Sequence, residues 1–347
     1  MRILQIEYAR AVAAILVLLF HVEVTFARPK YMGESTLHFL INGDSGVQIF
    51  FVISGFVIYL IHHGDPEGSL ANVRSFFHKR WTRVLIPLWI VATILFVTAK
   101  AGLTPNVAGF IDYLGIYFPF PLAKERVLSV AWTLRHEVLF YVIFAVWIWK
   151  RSLGWSLLLA WCALGLIIGP FMERGTAFKI VFNTNNFLFL AGIGLAHIHV
   201  RKIDVPFRGL VGAAGIGLFL LTCIGRSAFA TPLWLNNIGY GIGAALFFVW
   251  FLRKPVGESA FVLLLAQASY SLYLIHFPLL SVVTRVLDTF GGHEFLAVRL
   301  VYFAVSVVIC IAASIVFHKY VEKPVLKMFR SSKPKNSAMP APSETTR

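Results

Sequence analysis

Residues 9–27 read ARAVAAILVLLFHVEVTFA, a nineteen-residue apolar run broken by Arg10, His21 and Glu23. At 1.5 Å per residue such a run spans a hydrocarbon core about 30 Å thick. It therefore reads as a membrane helix. Nine similar runs follow, near 46–62, 84–99, 131–149, 153–171, 181–198, 209–224, 235–252, 261–284 and 298–317. The chain is thus an all-α protein, a polytopic transmembrane helical bundle of about ten spans. Those spans use most of its 347 residues and leave no sizeable extramembrane domain. Composition agrees: 58% of residues are apolar and only 14% charged, too few to cover a soluble domain. Arg2 followed by Ala11–Phe20 has the look of a signal peptide. The many later spans, and the lack of a strong small-residue cleavage site, favour a retained first helix.

The formal charge of +15 invites a nucleic-acid partner, and its distribution argues against one. With the N-terminus inside, 20 of the 31 Lys and Arg fall in cytoplasmic segments, 10 fall outside, and Arg135 lies within a span. The positive-inside rule then places both termini in the cytoplasm. Residues 1–330 form the transmembrane domain, and 331–347 (SSKPKNSAMPAPSETTR) read as a disordered cytoplasmic tail. The basic and apolar residues of 318–330 alternate at near-helical spacing, as in a short helix on the inner membrane surface. The outer segment 100–130 carries an aromatic stretch, Phe110–Leu122, expected at the interface or over the outer mouth.

Ionisable residues inside spans are expensive, so they are the first functional candidates. Arg10 and His21 lie on nearly the same face, about 16 Å apart along the helix. The plainer alternatives are an Arg10 that snorkels to lipid phosphate and a His21 that packs on one hydrogen bond. Glu23 faces away from His21 and reads as solvated. In Trp132-Thr133-Leu134-Arg135-His136-Glu137 the carboxylate lies about two turns into its span and needs a partner or a proton, whereas Arg135 and His136 are shallower. Ser54, in a Gly- and Phe-rich span, is packing glue or lines a cavity. Ser269, Tyr273 and His276 form one polar stripe at i, i+4 and i+7.

Arg80 and Arg83, at i and i+3 in the most basic loop between spans, share a face and suit a phosphate grip. Lipid headgroups would use the same charges. His62-His63 and His197-Ile198-His199 lack carboxylate or Cys companions, and Cys162, Cys223 and Cys310 have no ligand spacing, so no metal site is expected.

Taken in order, these pieces resemble the acyltransferase 3 family of polytopic membrane enzymes, from about Glu7 to Pro324. The first helix gives Arg10 and His21. Next come Gly46 through Phe56, then Arg80 and Arg83 ahead of Pro87, then Trp132, Leu134, Glu137, Phe140 and Tyr141. Ser269 through His276 and Glu322 with Pro324 complete the set. The resemblance implies transfer of an acyl group, usually acetyl from acetyl-CoA, to a hydroxyl of a carbohydrate or other surface molecule. Exopolysaccharide O-acetyltransferases are the most similar branch. It also implies a multi-pass protein of the bacterial cytoplasmic (inner) membrane, with acyl-CoA, a carbohydrate acceptor and membrane lipids as partners and no bound cofactor.

On this reading Arg80, Arg83 and Arg10 hold the CoA phosphates. His21 is the general base, and Glu137 orients it. Ser54, Trp132, Tyr141, Tyr273 and His276 line the cavity or the acceptor site. His21, about 18 Å above the inner edge, and Glu137, about 9 Å below the outer one, are expected in one layer. An acyl-histidine intermediate is the variant mechanism. A transporter with a buried His/Glu proton relay is the rival class.

Overall fold

The computed structural model of the protein describes residues 2–102, 110–117, 128–172 and 177–329. Among them are twelve α-helices and no strands. These are α1 (Leu4–Phe26), α2 (Ser45–His62), α3 (Leu70–Lys100), α4 (Phe110–Tyr117), α5 (Trp132–Trp149), α6 (Arg151–Ile168), α7 (Phe187–Val200), α8 (Arg208–Phe229), α9 (Leu233–Phe251), α10 (Ala260–Asp288), α11 (Leu296–Phe317) and α12 (Lys323–Met328). Eight segments are long and apolar enough to cross a membrane: α1, α2 with the 3-10 turns before it, α3, α6, α8, α9, α10, and α11 extended to Met328. The protein is therefore a multi-pass membrane protein.

Two of the ten expected spans, α5 and α7, fall outside that set, and each has a physical reason. The first two turns of α5 hold Arg135, His136 and Glu137, and α7 has only 14 residues behind the polar turn Thr184–Asn186.

Glycines set how closely the helices approach, because hydrocarbon gives no hydrophobic drive for helices to associate. A side chain at Gly43 or Gly46 would run into the carbonyls of Leu16 and Ala13, so α2 packs antiparallel on α1. Gly55 meets the backbone of Phe189, and Gly192 that of Val52, which joins α2 to α7 in the same way. Large apolar side chains such as Leu159, Leu221 and Val308 face outward, as a lipid-facing surface requires.

Helices α1 and α10 run parallel, tied along their length. Gln5 donates to Lys254 O (2.6 Å) and Tyr8 to Gly257 O (2.6 Å) at the near end, the one that carries the N-terminus. At the far end the hydroxyls of Tyr31 and Ser281 meet at 2.6 Å. Pro87 and Pro278 sit inside α3 and α10. In the turn before Pro87, Tyr270 Oη donates to Val84 O at 2.5 Å and joins α10 to α3.

Three expectations are corrected here. Glu23 is not solvated but 1% exposed. The chain after α1 folds back over the helix end, where Ser35 Oγ and the N–H groups of Thr36 and Leu37 donate to its carboxylate. Arg135 and His136 are buried rather than near the interface. Residues 318–328 are helical but not a separate element, because α11 runs through a π-helical turn, His318–Glu322, directly into α12. The tail 331–347 and residues 118–122 of the aromatic segment lie outside the described residues; within that segment, α4 packs on α3 through Tyr113 and Phe96 (ring centroids 4.9 Å apart).

Candidate active site

His21 and His276 meet where α1 and α10 cross the far half of the bundle. His21 Nδ1 lies 2.8 Å from Val17 O, and His276 Nδ1 lies 2.7 Å from Leu272 O. A carbonyl only accepts, so both Nδ1 atoms carry protons and both Nε2 atoms carry lone pairs. His276 Nε2, 3.2 Å from His21 Nδ1, therefore shares the His21 proton with Val17 O. His276 is 1% exposed, and the edges of Phe20 and Phe277 close on the His21 ring, with centroids 4.9 and 5.5 Å away. The arrangement leaves one unprotonated ring nitrogen on a half-buried histidine, Nε2 of His21, with acceptors fixed behind it. Such a group takes a proton from a hydroxyl and keeps the resulting imidazolium hydrogen-bonded.

The hydrogen bond of Glu137 goes elsewhere. Ser54 Oγ donates to Glu137 Oε1 at 2.7 Å. From the contact between Gly46 and Ala13, Ser54 lies eight residues along α2 and His21 eight residues along α1 in the opposite direction. Each interval is about 12 Å, so the carboxylate sits nearer the N-terminal end than His21 does. The expected shared layer is not what the structure shows. The reason is the start of α5: the chain enters the bundle before the helix begins, with Leu128, Val130 and Ala131 buried and Val130 O bonded by Tyr273 Oη. α5 thus starts below the far surface, and Glu137 is carried down with it.

Around Glu137 the expected cations gather. Arg10 donates to Ser269 Oγ (3.2 Å), pairs with Glu7 (3.7 Å), and is within electrostatic reach of Glu137, Glu322 and Arg83. Arg80 is within reach of Glu137, Arg83 and Tyr141; its guanidinium lies 5.9 Å from the Phe76 ring, and its Nε has no protein partner. Arg80 and Tyr141 share a shallow cleft between α3 and α5 with Phe77, Trp81, Val84, Leu85, Val138 and Val142. Arg83 is exposed at the rim. Tyr273 bonds Thr133 Oγ1 (2.7 Å) and joins α10 to α5, while Trp132 packs edge-on to His136 at 5.5 Å.

The structure thus collects the sequence-derived residues into two groups, His21–His276 and Arg10–Ser54–Arg80–Glu137–Tyr141. It also adds partners that the sequence did not single out. Ser271 and His318 both bond Glu322, which the π-helical turn points inward. His136 Nδ1 meets Asn186 Oδ1 at 2.7 Å; the polar run 183–186 at the start of α7 was the available signal. Among the described residues, no three His, Cys, Asp or Glu side chains gather as metal ligands.

Comparison with known proteins gives a consistent picture. The acyltransferase domain model of the acyltransferase 3 family matches residues 3–317. Exopolysaccharide production protein ExoZ of Rhizobium meliloti (strain 1021) is 28% identical over 272 residues, covering 74% of this chain and 82% of that one. Acyltransferase MdmB of Streptomyces mycarofaciens is 23% identical over 369 residues, covering 93% and 91%. No solved structure matches.

Proposed function

From the premise that this chain belongs to the acyltransferase 3 family, and so is an acyltransferase, we propose that it moves an acetyl group from acetyl-CoA to a hydroxyl of an exported polysaccharide or its lipid-linked precursor. The observation that carries this reading is the free Nε2 of His21, made a hydrogen-bond acceptor by its bonds to Val17 and His276. The name of the Rhizobium relative supports a polysaccharide acceptor.

In the proposed reaction the donor enters from the cytoplasm. Arg80 and Arg83 take the CoA phosphates, since planar guanidinium groups bind phosphate oxygens in pairs. The pantetheine arm runs past Tyr141, Ser54 and Glu137 toward His21, along the interval of about 16 Å that separates Arg10 from His21. Glu137 balances Arg10 and Arg80 and keeps this passage polar. At the far end, His21 Nε2 takes the proton of the acceptor hydroxyl as its oxygen attacks the thioester carbonyl carbon. The tetrahedral adduct collapses, the C–S bond breaks, and the imidazolium returns the proton to the departing CoA sulfur. His276 accepts from His21 Nδ1 throughout, so the charge that appears on the imidazole is met by fixed acceptors.

This scheme uses a ten-span topology with both termini cytoplasmic, in the bacterial inner membrane. α5 and α7 then cross despite their polar starts, because those polar groups face protein partners. The test is an O-acetyl NMR comparison of surface polysaccharide from a deletion strain complemented with wild-type or His21→Ala protein. Equal O-acetyl signals in the two would overturn the proposal.

A further inference from the structure

We propose that the far mouth of the site, above His21, binds an anionic group of the acceptor through Arg28, Lys30 and Arg285; this rests on the acyl-transfer reading above. The three cations follow one strap of chain. After α1, residues 28–31 lie along the outer stretch of α10. The Arg28 guanidinium sits 5.7 Å from the Phe277 ring, the same ring that packs edge-on against His21. Two residues on, Lys30 Nζ lies 4.9 Å from the Tyr31 ring, and Tyr31 bonds Ser281, one turn beyond Phe277. Arg285 stands one further turn along α10. All three cations are exposed. They form a positive track that begins beside the reacting histidine and leads outward.

The neighbouring carboxylates do not cancel it. Glu34 is taken by Arg299, Asp44 by Arg226 and Glu23 by the folded-back loop, so that Asp288, beside His293, offsets one of three positive charges at the outer end. Tyr31 reports the resulting field. Burial pushes its phenol up, yet the Ser281 hydrogen bond and the charges of Lys30 and Arg285 hold it below its ordinary value.

The charge also bears on the chemistry. The Arg28 guanidinium and the His21 ring both pack on Phe277, so the guanidinium and an imidazolium formed at His21 oppose one another. An acceptor anion seated on Arg28 removes that opposition at the moment the hydroxyl proton moves. An acidic acceptor is therefore favoured both in binding and in turnover, and a neutral glycan at neither step.

The test uses the full chain in phosphatidylcholine nanodiscs, with two probes of equal length: cellotetraose and its counterpart oxidised to glucuronate at every C6. Binding is expected to be about tenfold tighter for the acidic probe, a modest exposed ion-pair contribution at each of several cations. The preference should disappear in the Arg28→Gln/Arg285→Gln variant, with acetyl-CoA affinity as the folding control. Equal binding of the two probes, binding of neither, or a preference that survives the double substitution would each overturn the proposal. So would a variant that only loses co-purified phosphatidylglycerol and keeps the glycan preference, for then the cations serve lipid headgroups. Acceptor-dependent release of the CoA thiol is read separately. Its absence alongside charge-dependent binding counts against the acyl-transfer reading and not against the anion site.

Discussion

Nε2 of His276 stands 3.2 Å from Nδ1 of His21, and the protons on both rings are placed by backbone carbonyls four residues earlier in each helix. Two histidines from helices far apart in sequence therefore form one hydrogen-bonded unit. In the proposed reaction His276 is the positioning residue, the part that a carboxylate plays in many hydrolytic triads.

Replacing His21 by Ala is expected to lower acceptor-dependent thiol release by about 10²–10⁴-fold, the usual contribution of a general base. His276→Ala removes one acceptor from the imidazolium, a hydrogen bond to a charged group of about 1.5–3 kcal/mol, so kcat should fall about 10–100-fold. The KM for acetyl-CoA should stay unchanged, and His276→Gln, whose amide oxygen can accept, should recover part of the loss. A higher KM at constant kcat would move His276 to the donor site.

Arg80→Ala and Arg83→Ala should each weaken acetyl-CoA binding about tenfold or more, as expected for a lost charge-assisted phosphate contact. Lys at either position should restore only part, because it lacks the planar fork. Calorimetry on purified protein reads the change. Unchanged affinity in both Ala variants assigns these arginines to lipid headgroups.

Ser54→Ala deprives Glu137 of its hydroxyl donor. Loss of such a bond to a carboxylate, about 1.5–3 kcal/mol, predicts a fall in kcat/KM of roughly tenfold or more, with Ser54→Thr close to wild type. Wild-type kinetics for Ser54→Ala would show that Glu137 needs no help in the passage.

Gly55→Ala and Gly192→Ala each push a methyl group into the backbone of the facing helix. Overpacking of this kind costs on the order of 1–3 kcal/mol. Both variants should lose monodisperse protein at a lower temperature than wild type in detergent, while Gly194→Ala, with open space around it, should not. Equal melting of all three would mean that α2 and α7 adjust freely.

A reporter fused after residue 330 should be active only as a cytoplasmic fusion, because most basic residues lie at that end. Activity of an external reporter there would invert the donor and acceptor sides together.

Much of the fold was legible because apolar runs and charge asymmetry are properties of composition along the chain. Helix centres agree within about two residues for α2, α5, α8, α9, α10 and α11, and least well for α3, which begins at Leu70, well before the apolar run at 84–99. The site was legible as a set of residues but not as pairs. Spacing along α1 gave the distance from Arg10 to His21, since one helix fixes both. The distance from His21 to Glu137 depends on where α5 begins, and that is set by Leu128–Ala131 entering the bundle before any helix forms. Glu23 was misread for a related reason. Its helix angle is written in the sequence, whereas the return of residues 35–37 over it is a tertiary event. Ser269, Tyr273 and His276 formed one visible stripe, yet Ser269 and His276 bond α1 while Tyr273 bonds α5, which periodicity alone does not distinguish.

The parallel pair α1 and α10 is fastened in the middle by Arg10 and His21, below by Gln5 and Tyr8 on the segment that leads into α10, and above by Tyr31, just past α1. Five hydrogen bonds along one seam, each worth about 1 kcal/mol, together oppose sliding or pivoting of the two helices. A machine that carried its cargo across by rocking would have to undo them on every cycle. This seam instead suits a fixed post: in the acyl-transfer scheme proposed above, the reaction centre stays still, and what crosses the membrane is an acyl fragment rather than a solute with its shell of water.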